Sequence, residues 1–300
     1  MLFSPSERLP LLRSALLFGF IFTTSLSGCS GGGEGKGHGV ISLAPNITET
    51  IYAIGEGSRL IGVSDFDDYP RKATALPQLG GYLDPDLEQI ALLRPALIFV
   101  PGRHEKVTTF GEQYGIAVAN IHMDSLETID AGIEAIGRTL NAVPKATQLR
   151  ADILNELEAI RRAVAEFERP KVFIVLGRER GDLSNLQTVG GSSFISELVE
   201  VAGGDNIYGD AGQAYLEASK ETLLLEAPDV ILEIHAGRSL SQNQKTDIVS
   251  DWNGLDSLPA WKKGRIYIFT DSHMMRPGPR VTDVARQIAQ KLNFSAQLPE

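Results

Sequence analysis

Seven residues of this 300-residue chain recur at one fixed offset of 133 positions. Tyr82, Leu83, Glu88, Ile90, Pro95, Leu97 and Ile98 return as Tyr215, Leu216, Glu221, Leu223, Pro228, Val230 and Ile231. A self-match at a single spacing implies two lobes built on one plan, which narrows the fold more than any composition figure. In each copy a short apolar-rich segment ends just before a proline, and a β-type run follows. Each lobe then presents one carboxylate, Glu88 or Glu221, at an equivalent place. Paired lobes enclose a cleft, and matched surface charges suit a symmetric partner.

The length allows two lobes of roughly 100–150 residues each. With 43% apolar and 22% charged residues, neither disorder nor a fibrous repeat is indicated. A net charge of −10 opposes a nucleic-acid footprint, which needs basic patches to displace counterions.

The chain begins with a targeting pattern. Arg8 and Arg13 precede the apolar run from Ser14 to Leu26, which is too short for the roughly 20 residues of a spanning helix and fits an export signal over residues 1–28. Leu26-Ser27-Gly28-Cys29 resembles the lipobox of bacterial lipoproteins, which implies that Cys29 is lipidated and becomes the mature N-terminus. As the only cysteine, it leaves no partner for an internal disulfide. Residues 29–39 are glycine-rich and predict a flexible tether. His38 in that tether lacks partners at metal-ligand spacing.

From Val40 onward, short aliphatic runs alternate with helical segments, which predicts an α/β fold with parallel crossovers. Strands are expected at Val40 to Leu43, Leu60 to Val63, Leu97 to Val100 and Ala117 to Ile121, with a helix from Asn46 to Ala53. Pro144 to Glu168 contains no further proline and no glycine, and places Leu149, Ile153, Leu157, Ile160 and Val164 at helical spacing. It predicts one connecting helix, about 35 Å long at 1.5 Å per residue, whose charged outer positions are a solvated face. The expected layout is a first lobe over 40–143, the connector over 144–169 and a second lobe over 170–300. That second lobe should hold strands at Lys171 to Leu176, Gln187 to Val189, Val230 to Glu233 and Ile266 to Phe269, and helices at Ser193 to Ala202 and Arg280 to Leu292.

Several segments in order carry a family likeness. They are Ile41 to Glu49, Gly62-Val63-Ser64-Asp65 with Asp68-Tyr69-Pro70, and Gly80-Gly81-Tyr82 with Leu87-Glu88. Gly203 to Ile207, Trp261 with Arg265, and Pro277-Gly278-Pro279-Arg280 follow. In these the mature chain resembles the substrate-binding proteins of ABC transporters that import cobalamin, ferric siderophores and haem. The resemblance implies the class III periplasmic binding protein fold: two Rossmann-like lobes with central parallel sheets, joined by one long backbone helix. It also implies that Glu88 and Glu221 dock into arginine pockets of a dimeric permease served by ATPase subunits, with the receptor itself a monomer. Both glutamates also fall in the first turn of a predicted helix, where a carboxylate complements the helix dipole by about 0.3–1 kcal/mol. The two roles are compatible.

A ligand between the lobes would meet loops at strand ends. First-lobe candidates are Phe66, Asp67, Tyr69, Tyr82 and Arg103, aromatic rings for a flat macrocycle and an arginine for carboxylate or phosphate. Tyr69 before Pro70 is either a ligand contact or a turn residue packed on its own lobe. Second-lobe candidates are Tyr215, His235, His273, Met274, Arg276 and Arg280. His273 or Met274 could serve as an axial ligand to iron or cobalt in a macrocycle, or only line a pocket. Arg280 either contacts the ligand or caps a structural network. Val63 to Pro70 with Gly80-Gly81-Tyr82 most resembles the cobalamin-binding branch, so cobalamin is the favoured cargo, with a ferric siderophore or haem as the alternative; no cofactor is expected.

A metal-dependent enzyme is the reading from another class. His104-Glu105 lacks the paired-histidine spacing of a zinc protease, Gly190-Gly191-Ser192-Ser193-Phe194 lacks the last glycine of a nucleophile elbow, and no phosphate loop occurs. His122 follows a strand and reads as a loop residue. The chain is expected to bind its cargo and release it unchanged.

Overall fold

A computed structural model describes residues 37–179, 181–293 and 298. The expected export signal and Cys29 lie outside the described residues. The backbone joins the fold by His38, whose amide donates to the Arg94 carbonyl.

The first lobe contains strands β1 (Val40–Ser42), β2 (Leu60–Val63), β3 (Leu97–Pro101) and β4 (Ala117–Ile121), hydrogen-bonded in the order β2-β1-β3-β4 and parallel throughout. Helices α1 (Pro45–Ala53), α2 (Leu87–Leu93) and α3 (Glu105–Tyr114) make the crossovers, and α4 (Leu126–Thr139) follows β4. The second lobe has β5 (Lys171–Val175), β7 (Asp205–Asn206), β9 (Val230–Ile234) and β10 (Ile266–Phe269) in the order β10-β9-β5-β7, again parallel. Read from the other edge, the second sheet repeats the first, with β3 and β9 in the same central place. Its crossovers use α6 (Phe194–Val201), α7 (Lys220–Glu226), α8 (Gln242–Asp251) and α9 (Pro259–Lys262), and α10 (Val281–Leu292) closes it.

The run at Gln187 to Val189 behaves differently from the other second-lobe strands. As β6 (Leu186–Val189) it pairs antiparallel with β8 (Tyr215–Ala218) in a separate two-stranded sheet, the Leu186↔Ala218 and Val189↔Tyr215 pairs marking its ends. The sequence run alone could not say which sheet it would join.

The 133-residue echo extends to the helix caps. Asp86 and Ser219 each accept from the backbone amide three residues on, capping α2 and α7. Arg94 and Ala227 close those helices in the left-handed region, at φ 47° and 50°, and Pro95 and Pro228 follow. One buried residue anchors each helix to its sheet: Ile90 on α2 and Leu223 on α7.

The connecting helix α5 (Val143–Val164) is 22 residues long and ends four residues short of the expected Glu168, because residues 165–167 turn out of helical hydrogen bonding before Pro170. Leu157, Ile160 and Val164 are buried, and Leu149 and Ile153 pack at the margin. Its face belongs to one continuous core that includes Ile47 and Ile133 from the first lobe and Leu198 and Val284 from the second. The opposite sheet faces bury separate clusters, around Ile90 and Ile98 in one lobe and around Leu223 and Ile231 in the other.

Candidate functional site

Both sheets reverse their winding direction between the two central strands, at β1/β3 and at β5/β9, and loops diverging from strand C-termini there leave a crevice. Arg103 follows β3, while Arg178 and His235 follow β5 and β9. These positions mark one candidate wall on each lobe.

On the first wall the structure brings together Phe66, Tyr82 and Arg103. The Phe66 ring is 65% exposed and lies over Gly81, where an added Cβ would stand 2.8 Å from it. Tyr82 meets His104 edge-on at 5.0 Å between ring centres. His104 donates from Nε2 to the Tyr82 carbonyl at 2.6 Å and accepts at Nδ1 from the Val107 amide at 3.3 Å, which fixes the tautomer and the tyrosine's backbone together. The Tyr82 hydroxyl donates to the Arg103 carbonyl at 3.2 Å, leaving the Arg103 side chain in solvent 3.6 Å from Glu105.

Asp67 is placed beneath this surface and not on it. Its Oδ2 accepts from the Ser64 amide at 2.9 Å and the Ser64 hydroxyl at 2.6 Å, which closes the turn that carries Phe66. Burial pushes its carboxyl above the ordinary value, against the hydrogen bonds from Ser64 and the charge of Arg276.

Arg276 and Arg280 form a clamp between the lobes. The Arg280 Nε donates to Glu49 Oε2 at 2.8 Å, and its second nitrogen to Oε1. Arg276 reaches Glu49 Oε1 at 3.3 Å, the Phe66 carbonyl at 2.9 Å and both carboxylate oxygens of Asp68. Partial burial opposes charge on Asp68, but hydrogen bonds from Arg276 and Ser272 and the charges of both arginines outweigh it and hold the carboxyl below its ordinary value. The Arg280 guanidinium lies 4.3 Å from the Tyr69 ring centre, so Tyr69 packs across the lobes on one side and stays exposed on the other. Neither option considered for Tyr69 from sequence was packing against the opposite lobe. Asn46 adds a bond to the Pro277 carbonyl at 3.0 Å.

On the second wall His235 bonds to Glu233 at 2.9 Å. Glu233 also accepts from Arg178 at 3.0 Å and from the Trp252 indole at 2.9 Å, and Arg178 reaches Asp251 at 2.8 Å. This network floors a cavity of about 290 Å³ between the strand ends and α8, with Arg238 and Asp247 at its rim. Tyr215, 56% exposed on β8, lies near Asp124 of the first lobe; burial, then that charge, raises its phenol pKa. The Asp124 carbonyl accepts from the Phe194 amide at 2.9 Å, a second inter-lobe tie.

His273 is half-buried beside Gln287 at 3.1 Å, and burial, then Arg280, lowers its pKa. Met274 is 0% exposed and belongs to the common core, so its thioether is a packing group and not an axial ligand. Among the described residues no group of three or more His, Cys, Asp or Glu side chains could hold a metal ion. Glu88 and Glu221 are exposed in the first turns of α2 and α7.

Sequence reading passed over Glu49, Arg178, Glu233 and Asp251. Glu233 had a visible signal: a carboxylate inside the apolar run Val230 to Ile234 must find partners when the strand is buried. Glu49 had none, since its partners are more than 220 residues away. His122, read as a loop residue, is exposed after β4 with Asp124 at 3.0 Å.

The periplasmic binding protein family profile matches residues 40–272. A vitamin B12-binding protein of Vibrio parahaemolyticus is 27% identical over 255 residues, covering 84% of this chain and 88% of that protein. The solved periplasmic vitamin B12 binding protein of Vibrio cholerae aligns at a TM-score of 0.69 with 25% identity, covering 86% of this chain and 98% of that one. A periplasmic haem binding protein from Pseudomonas aeruginosa aligns at 0.74 with 22% identity, covering 88% and 95%, which is a likeness of fold.

Proposed function

The chain belongs to the periplasmic binding protein family, and from that membership we propose that it captures cobalamin between its lobes and delivers it to an ABC permease. One observation carries the choice of ligand class: both lobes expose aromatic rings, Phe66, Tyr69 and Tyr82 on the loop after β2 and Tyr215 at the start of β8. Such rings suit the flat faces of a macrocycle, and exposed Arg103 suits a phosphate or carboxylate on its periphery. Likeness along most of the chain to vitamin B12-binding proteins supports cobalamin among the macrocycles.

Haem is the second reading, favoured by His122. With Asp124 holding one ring nitrogen at 3.0 Å, the other is free to meet an iron axially. A ferric siderophore would use Arg103 and Arg238 instead of the rings. In this reading residues 40–143 and 170–300 are the lobes, residues 144–169 connect them, and a lipid on Cys29 anchors a monomer through the 29–39 tether after loss of residues 1–28. Glu88 and Glu221 dock on the permease dimer, and ATPase subunits drive release. The cargo leaves unchanged.

Titration with cobalamin, haem and a panel of ferric siderophores, followed by tyrosine and tryptophan fluorescence, tests the ligand. Saturable quenching by cobalamin at the lowest concentration is expected; saturation by haem or a siderophore alone would replace it. Charge reversal at Glu88 and Glu221 should abolish uptake and leave ligand affinity intact.

A further inference from the structure

Helices α2 and α7 share a surface as well as a sequence echo. Each has one fully buried residue, Ile90 or Leu223, and each exposes a glutamate two positions before it and a leucine two positions after it. Leu92 is 74% and Leu225 81% exposed. Glu88 with Leu92, and Glu221 with Leu225, stand at i and i+4, so each pair shares one helix face. The leucines themselves are 133 residues apart, the same offset as the glutamates. Both glutamates lack a hydrogen-bond or ion-pair partner among the described residues. Both helices pack on the sheet faces opposite the core shared with α5.

A single exposed leucine needs no explanation. Two at the same repeat position, each one turn beyond an unpartnered carboxylate, do. Helix propensity does not supply the reason, since lysine or glutamine would serve the helix nearly as well without exposing an apolar side chain.

We propose that Leu92 and Leu225 are twin apolar anchors for the permease dimer, each filling an apolar pocket one helical turn beyond the cationic pocket that takes Glu88 or Glu221. This rests on the importer reading above. Two chemically equal patches on one chain match a partner that offers the same surface twice, which a two-fold dimer does. The unpartnered carboxylates and the chain's net charge of −10 call for a basic surface, and the leucines call for an apolar recess within it. The two groups divide the work. Exposed charge governs encounter, whereas a buried apolar side chain governs how long the complex lasts.

That division can be measured with the full chain and nanodiscs carrying the permease–ATPase complex, comparing L92S, L225S, L92S/L225S and E88Q/E221Q. The double leucine variant should dissociate at least about tenfold faster while its association rate stays within about twofold, and each single variant should lie between. Labelled cobalamin uptake should fall with residence time, while cobalamin binding by the isolated chain and its melting temperature should not change. If the double leucine variant dissociates like the parent while E88Q/E221Q loses binding, the anchors are refuted and the importer reading stands. If E88Q/E221Q also binds and transports like the parent, the docking reading fails and takes the anchors with it. Sedimentation supplies the remaining arm: a parent dimer that L92S/L225S converts to monomer would assign the leucines to a second copy of this chain and overturn the proposal.

Discussion

Asp67 holds the turn under Phe66 with one carboxylate oxygen and leaves the other, with the nearby Thr48 hydroxyl, without a hydrogen bond. Because burial raises its folded pKa above the ordinary 3.8, the ionised form costs stability at neutral pH, and that cost is relieved as pH falls through the raised value. Asp67→Asn keeps an oxygen for Ser64 and offers an amide to Thr48. We predict that it is more stable than the parent at pH 7, and that the difference shrinks as pH falls toward 3.8, as read by denaturant melts across that range. Asp68 has the opposite sign. Its lowered carboxyl contributes stability that is full above 3.8 and lost as pH falls through the folded value. At this scale the sequence could not distinguish the members of one loop: Phe66 and Asp67 are neighbours, and only burial puts one outside and the other beneath.

Among the elements, α2 and α7 carry their signals locally: the first turn at Glu88 and Glu221 and the stops at Pro95 and Pro228 were legible, while the Asp86 cap emerged only with the structure. The cost of their shared ending is local too. Ala227 sits at φ 50°, where a Cβ is strained and glycine is not. Ala227→Gly is predicted to stabilise the fold by about 0.5–1 kcal/mol, the relief of strain less the added freedom of the unfolded chain, as measured by chemical denaturation. Loss of stability would mean that the Ala227 methyl contributes packing in the cluster around Leu223. The β6–β8 hairpin was the least legible element, since alternation marks a strand without naming its partner. The connecting helix was legible along its apolar stripe and overextended at its C-terminus, where Ala165, Glu166, Phe167 and Glu168 are all exposed and no packing decides the end.

Across the whole molecule, the continuous core around α5, the Glu49 clamp and the Phe194–Asp124 backbone bond each join the lobes. Glu49 is almost fully buried against two guanidinium groups, so Glu49→Ala should cost about 3–5 kcal/mol, the penalty for stripping a buried charge of its partner. Denaturant unfolding would measure it, and a loss under 1 kcal/mol would mean that solvent screens the clamp. In the parent, X-ray scattering of free and loaded forms should superpose, because the stiff connector and the clamp resist rotation; a large hinge closure on loading would refute this.

The sequence by itself determined the two-lobe α/β plan, the connecting helix and the paired glutamates, because strand, helix and cap signals are local and the echo repeats them. Only the tertiary structure decided that Arg276 and Arg280 bridge the lobes through Glu49 and Asp68, that Met274 is core, and that Arg178 and Glu233 support His235. Those outcomes depend on which distant charges are taken out of water together, and no spacing along the chain records that.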